Sequence, residues 1–406
     1  MESLIGKYVT YPEASIQGGL RTKSIFKSSI ENQPLVTIIT VVYNRRKKLK
    51  RAIESVLGQS YQNIEYILID GGSTDGTLEV IKEYEDKIDY YISQEDKGIY
   101  NAMNKGLQLA RGEYIGIVNS DDYFDINAVK CSIEKILENG ADYSGALSQY
   151  VDIKGRPTML LPLSHFDERA IFSIQPCGHA TMFVSRKCFE AIGLYDEKYR
   201  IVADFKMQLL LIKEGFKHCT VNQVIHYFET DGVSANNTKL NVQELVQLIN
   251  EQNPNVSFQE AETVIDLAWG FPIHRNQLVH LKSLMRRDYF TERQKVYLAE
   301  ALIEKIHWQF QHQVWIDGRE IGQSDLELGP LEKKIQEEKK GGENLQDNLY
   351  PVSEEDKDIN LISQIKNDCM HTNYKKSFSK RIRYITKQFI PLGLLILYWR
   401  IRNKYK

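Results

Sequence analysis

The chain has 406 residues, of which 42% are hydrophobic and 26% charged. That length exceeds one small core and predicts two or three domains or extensions. The ordinary composition excludes disorder throughout and a polytopic membrane protein, and a net charge of −2 gives no field that would draw nucleic acid.

Five cysteines (Cys131, Cys177, Cys188, Cys219 and Cys369) are scattered, odd in number and without a CxxC pair. This argues against a disulfide framework and a structural zinc site, and fits a reducing compartment. The N-terminal MESLIGKYVTYPEAS has no basic region followed by an apolar run, so no secretory signal is expected and a cytoplasmic location is.

In chain order, residues 1–33 are polar and turn-rich and are expected to drape over the first domain as an extension. Leu35 to Val42 is β-branched and nearly all apolar, as expected of a central strand buried on both faces. Arg45 to Gln59 has helical apolar spacing, and Ile64 to Ile69 reads as a second buried strand. The turn cluster DGGSTDG at Asp70 to Gly76 follows, then a helix from Thr77 to Asp86 and a third strand over Ile88 to Ser93. From Asp96 the sequence runs DKGIYNAMNKGLQLARGEYIGIVNSDD, giving a helix closed by Gly112 and a fourth strand over Tyr114 to Val118. Asn101 and Asn104, three apart, share one face of that helix, with Lys97 and Lys105 nearby.

This βαβαβαβ alternation predicts an α/β fold with a mostly parallel central sheet flanked by helices. Each strand end is polar: Tyr43 and Asn44, then Asp70 and Ser73, then Asp96 and Lys97, then Asn119 to Asp122. Open α/β sheets bind ligands at that edge. Two adjacent carboxylates there are costly without a positive partner, and a divalent cation holding a diphosphate would supply it. The first βα turn has no GxGxxG, and neither GxxxxGK[ST] nor GxSxG occurs, which leaves a nucleotide held by side chains and a metal. Tyr43 suits stacking on a base, Asp70 accepting from a base N–H or ribose hydroxyl, Lys97 facing phosphate, and Asp121 binding a hard cation.

Downstream, Asn127 to Glu138 reads as a helix, Ala141 to Asp152 as one or two strands, and Leu160 to Pro176 as irregular. A strand-like MFV, a helix from Lys187, a helix begun by Asp204 and a strand over Val224 to Phe228 follow. Residues 240–320 are rich in helix formers, 321–373 form a charged linker or helix, and 374–406 form a basic tail without acidic residues. In the tail, Lys and Arg flank the apolar run Phe389 to Trp399, about half of the roughly 20 residues needed to span a bilayer. Such a segment suits an anionic membrane surface, so peripheral association with the inner face of the cytoplasmic membrane is expected.

The stretches LVTIITVVYN, LIDGGSTDGT, EDKGIYNAMNKG and GEYIGIVNSDD together resemble the successive motifs of bacterial family 2 glycosyltransferases with the GT-A fold. The resemblance covers Leu35 to Ser234, residues 34–239 forming the GT-A domain, with a C-terminal helical extension beyond it. It implies that Thr40, Tyr43, Asn44, Asp70 and Ser73 hold the nucleotide, most often UDP. Lys97, Gly98, Asn101 and Asn104 would face diphosphate and sugar, with Asn119 and Ser120 on the donor side. The family's Asp-x-Asp metal motif reads Asn119-Ser120-Asp121 here, so its first carboxylate is missing. Asp121, with Asp122 as second choice, would hold Mn2+ or Mg2+. The stretch GHATMFVSRKCFEAIGLYDEKYRIVADF resembles the family's acceptor region and makes Asp204 the general base of an inverting transfer. His179 and His226 are candidates on the acceptor side.

The expected activity is inverting transfer of a sugar from a nucleotide-diphosphate sugar to a lipid-linked or surface-polysaccharide acceptor. Two alternatives stand beside it: a catalytically inactive nucleotide-binding or scaffold protein, and a sugar nucleotidyltransferase, whose Gly-rich basic N-terminal signature is missing here. Residues after Leu240 could also form a partner-binding helical module, and a homo-oligomer stays open.

Overall fold

The structure is a computed structural model and describes residues 15–173, 175–229, 237–269, 273 and 275–311. The expected charged linker over 321–373 and the basic tail over 374–406 lie outside the described residues.

Four parallel strands form the centre of the sheet. β2 (Val36–Val42) pairs with β3 (Ile64–Asp70) on one side and β5 (Tyr114–Ile117) on the other, and β4 (Tyr90–Ser93) extends β3. Every residue of β2 and β3 is buried, as their largely apolar runs require, with Thr37, Thr40, Glu65 and Asp70 the polar exceptions. β1 (Ile16–Gly18) adds antiparallel to β4 at one edge. Beyond β5 the direction reverses: β9 (Phe183–Ser185) is antiparallel to both β5 and β7 (Tyr143–Val151). β10 (His218–Glu229) runs parallel to β7 and carries β6 (Tyr123–Phe124) on its far side, while β8 (Pro157–Leu161) folds back on β7. β10 is longer than the expected Val224 to Phe228, because its first half exposes Asn222 and Gln223 and so reads as polar. Register shifts on either side of Val224 bend the strand before His226.

The helices that follow the parallel strands bury one stripe each. α1 (Arg46–Leu57) buries Leu49, Ala52, Ile53 and Val56 at helical spacing. α2 (Thr77–Lys82) follows β3, and α3 (Ile99–Leu109) follows β4. The expectation that Gly112 closes α3 is corrected: the helix stops at Leu109. A Cβ on Gly112 would lie 2.4 Å from the Thr37 backbone nitrogen, so this glycine permits the close entry of β5 beside β2.

Further helices of the domain are α4 (Ala128–Asn139), the short α5 (Ala170–Ser173), α6 (Arg186–Ile192) and α7 (Ala203–Lys213), the last preceding β10. The C-terminal helices are α8 (Thr238–Gln252), α9 (Phe258–Ala268), α10 (Arg275–Met285) and α11 (Glu292–Gln311). A capping box between Ser257 and Glu260 starts α9.

At the opposite edge of the sheet from the polar strand ends, the N-terminal segment supplies cations to buried carboxylates. Arg21 pairs with Glu65, and Lys27 lies 2.8 Å from Asp89.

Candidate active site

The first two strand ends are tied together by short polar bonds. Asn44 adopts left-handed backbone (φ 49), which an asparagine tolerates better than most residues. Its N–H donates to Ser73 Oγ at 2.8 Å, and its Oδ1 accepts from the Thr74 N–H at 2.9 Å. Asp70 is buried and accepts from the Ser73 hydroxyl, the Ser73 N–H and the Ser93 hydroxyl. Asp70 and Ser73 therefore set the DGGSTDG turn in this structure. Tyr43 projects from the same edge with 60% of its surface exposed, free to offer its ring. Thr40 is different: it is fully buried inside β2, and its hydroxyl accepts from Tyr66 at 3.1 Å. The structure does not bring Thr40 to the strand-end cluster.

At the third strand end, Gly98 (φ +123) donates its N–H to Asp96 Oδ1 at 2.8 Å, and no atom lies within 4 Å of where its Cβ would be. Burial pushes the Asp96 carboxyl up. Lys97 is exposed, with its N–H on Asn101 Oδ1. Asn101 and Asn104 turn toward the loop after α6 rather than the open edge. Both donate to Glu197, at 3.0 and 2.9 Å. Asn104 also pairs with both backbone groups of Tyr195, donating to its carbonyl and accepting from its N–H at 2.9 Å.

The fourth strand end is the acidic turn. Asp122 is buried; its Oδ1 accepts from the Glu229 N–H, and Asn119 Nδ2 donates to its Oδ2 at 3.3 Å. His226, also buried, binds Ser148 through Nδ1 and holds Nε2 at 3.4 Å from Asp122 Oδ2 without a hydrogen bond. Ser120 is buried in the turn. Asp121 is the more open carboxylate. Burial and then the neighbouring Asp122 charge push it up to about 6, against the pull of Arg45, whose Nε is 3.8 Å away, and of Lys48.

The acceptor-side residues form a second cluster. Asp204 is the second residue of α7, and its Oδ1 faces the Tyr100 hydroxyl at 2.9 Å and the Phe205 N–H at 2.9 Å. His179 bonds the Tyr195 hydroxyl at 2.8 Å, and Tyr195 stacks on Tyr100. Burial pushes His179 down, against the pull of the Asp204 charge.

Several site residues escaped sequence reasoning. Arg45, Lys48 and Arg51 stand at successive turns around α1 and face acidic groups: Arg45 faces Asp121, while Lys48 and Arg51 pair with the buried Glu229. Arg51 also lies 4.3 Å over the Tyr123 ring. Their three-residue spacing was visible in the sequence; their target was not. Tyr195 and Glu197 lay inside the stretch that resembles the acceptor region but had no role assigned, and Tyr100 had none either.

Parallel βα units with a polar ligand edge, an acidic turn after the fourth parallel strand and a helix-borne carboxylate beyond it agree with a glycosyltransferase domain of the GT-A type. Residues 37–192 match the model of glycosyl transferase family 2, and the chain belongs to that family. It is 31% identical over 188 residues to an uncharacterized glycosyltransferase of Haemophilus influenzae, covering 45% of this chain and 75% of that one. It is 29% identical over 233 residues to the chondroitin synthase of Escherichia coli, a match that covers 55% of this chain but spans only 33% of that protein's length. The structure of S. aureus TarS 1–349 in complex with UDP-GlcNAc covers 70% of this chain and 95% of its own at 16% identity and a TM-score of 0.46. Asp204 and His226 lie beyond the stretch matched by the family model.

Proposed function

We propose that the chain is an inverting, divalent-metal-dependent glycosyltransferase that moves a sugar from a UDP-sugar to a hydroxyl of a glycan or lipid-linked acceptor. The observation that carries this reading is the pairing of two differently set carboxylates: Asp121 in the acidic turn and Asp204 on α7. Asp204 would take the proton of the acceptor hydroxyl as its oxygen attacks the anomeric carbon. Among the described residues, hydrogen bonds reach Asp204 only at Oδ1, so Oδ2 is the oxygen offered to the acceptor. Lys97 and Arg45 would face the negative charge of the leaving diphosphate. The chondroitin synthase relative builds a glycan by its name, which favours a glycan acceptor here.

The acidic turn fits Mn2+ or Mg2+. Asn119 Oδ1 and His226 Nε2 are buried without hydrogen-bond partners, beside a carboxylate raised to about 6. Among the described residues no group of three or more His, Cys, Asp or Glu forms a complete cage. A hard cation needs only one or two carboxylates when phosphate oxygens supply the rest. Asp121 would hold it, with Asp122 or Asn119 beside it, and the bound ion would neutralise charge developing on the diphosphate.

Calorimetric titration with UDP, GDP and dTDP, each with and without Mn2+, tests the reading. Tight binding of UDP that requires Mn2+ is expected. Equal binding without Mn2+ would remove the metal role, preference for another nucleotide would overturn the UDP assignment, and no binding at all would overturn the donor site.

The basic tail motivates a cytoplasmic enzyme docked on the inner leaflet, where lipid-linked acceptors are within reach. No described helix is long and apolar enough to cross a membrane. Deleting Tyr374 to Lys406 should move the protein to the soluble fraction, and unchanged fractionation would refute the docking.

A further inference from the structure

We infer that Glu244, on α8 outside the catalytic domain proper, is a positioning residue for the transfer step, fixing the loop that presents Asp204. The inference rests on Asp204 being the general base. Glu244 is buried, with 6% of its surface exposed. Among the described residues its carboxylate faces no cation at hydrogen-bond range; it accepts from three consecutive backbone N–H groups. Oε1 takes Arg200 at 2.8 Å, while Oε2 takes Ile201 at 2.8 Å and Val202 at 3.2 Å. These residues lead directly into α7, where a helix N-terminus favours negative charge.

The other side of the same loop is held by the catalytic domain. The Tyr100 hydroxyl lies 2.6 Å from the Ile201 carbonyl and 2.9 Å from Asp204 Oδ1, sharing its one proton between them. Ile201 is therefore gripped at its N–H by Glu244 and at its carbonyl by the tyrosine that orients the base. Two helical turns on, Glu251 accepts from the Tyr199 hydroxyl at 2.8 Å and pairs with Lys198 and, at 3.5 Å, with Lys206. α8 thus holds residues on both sides of Asp204. A helix recruited only for packing would bury an apolar side chain at this position. A buried carboxylate is retained only where it is fully hydrogen-bonded, and here the groups that bond it are the backbone leading to the base.

The test compares four variants of the full chain: Glu244→Gln, Glu244→Ala, Asp204→Asn and Leu248→Ala. Leu248 is a fully buried core residue of the same helix, so its truncation reports destabilisation alone. The readouts are UDP release from UDP-glucose, UDP-galactose, UDP-GlcNAc and UDP-GlcNAc's C4 epimer in the presence of Mn2+, calorimetric UDP affinity, and backbone amide exchange at 200–206. Glu244→Gln keeps one acceptor oxygen but turns an NH2 toward N–H donors. It should lower kcat about tenfold, and Glu244→Ala about a hundredfold, with the donor KM and UDP affinity within twofold of the parent. Leu248→Ala should lower the melting temperature and leave kcat unchanged.

Turnover unchanged in both Glu244 variants while Asp204→Asn is inactive would overturn the positioning role alone. Turnover retained by Asp204→Asn would overturn the base assignment beneath it. A loss of kcat in Leu248→Ala equal to that in Glu244→Ala would reduce Glu244 to a packing role. Amide exchange decides the matter independently of donor identity: residues 200–202 should lose protection at least tenfold in Glu244→Ala and not in Leu248→Ala, and unchanged protection overturns the inference.

Discussion

Replacing Asn104 with alanine separates two assignments for one side chain. The family resemblance puts Asn104 against diphosphate and sugar. The structure has it buried, with its amide on the Tyr195 carbonyl, the Tyr195 N–H and Glu197. Truncation strands both backbone groups of Tyr195, itself 5% exposed. A stranded buried polar group costs about 1–3 kcal/mol, so the pair should cost about 3 kcal/mol once partial rehydration is allowed. Glu197 keeps its bond from Asn101, which limits the loss. At roughly 2–4 °C per kcal/mol, the melting temperature should fall by about 6–12 °C. UDP affinity in the presence of Mn2+ should stay within twofold, read by calorimetry below the melting transition. Asn104→Asp should be worse at neutral pH, because it removes both donors and sets a second carboxylate beside Glu197. An alanine variant that melts normally but binds UDP more than tenfold more weakly would refute the structural tie and restore the donor-site role.

The N-terminal segment and the C-terminal helices give two further expectations. Arg21→Ala should destabilise by about 3–5 kcal/mol in urea unfolding, the usual result of breaking a buried ion pair. Among the described residues it would leave the buried Glu65 with the Thr37 hydroxyl and the Arg111 N–H; a loss under about 1 kcal/mol would show that the segment is dispensable. His165, edge-on to Tyr297 of α11, is pushed down to about 4 by burial and then by Arg169. A depressed histidine is neutral in the fold while the unfolded chain takes up a proton, so stability should fall as pH drops from about 6.5 to 4 and level off below. At 1.36 kcal/mol per unit the limit is about 3 kcal/mol, discounted to roughly 1–2 for solvent screening. His165→Phe should flatten that stretch of the stability profile, and an unaltered slope would refute the assignment.

The central sheet was legible because β2 and β3 are mostly apolar on both faces, the pattern of a covered parallel strand. The polar strand ends were legible for the complementary reason, that charge at a buried sheet edge requires a partner. What lay beyond was the direction in which a side chain points. Asn101 and Asn104 were placed on one face by their spacing, but helical spacing does not name the face's neighbour, and the neighbour proved to be Glu197. Thr40 illustrates the same gap within a strand, where its hydroxyl meets Tyr66 rather than the ligand edge. The reversal of the sheet at β9 was also hidden, since a three-residue apolar strand carries no mark of direction. Glu244 could not have been found, because a carboxylate among helix formers looks solvated until the backbone that bonds it is known.

The same logic makes Asn119 informative. It stands where the family motif has aspartate, and its Nδ2 donates to Asp122 while its Oδ1 has no partner. An aspartate there would lose the donor and add a third carboxylate to a turn where Asp121 is already pushed up to about 6. Like charges 4 Å apart repel by about 4 kcal/mol at an effective dielectric of 20, an upper bound that protonation relieves. Asn119→Asp should therefore melt lower than the parent in EDTA, by an amount corresponding to about 2 kcal/mol. It should gain more than the parent from Mn2+, since the ion removes the repulsion as well as binding. Asparagine would then be the choice of a turn that stays folded before its cation arrives, at some loss of cation affinity. A variant that melts like the parent in EDTA, or gains no more from Mn2+, would mean that the turn is not a cation site and that Asn119 Oδ1 is satisfied some other way.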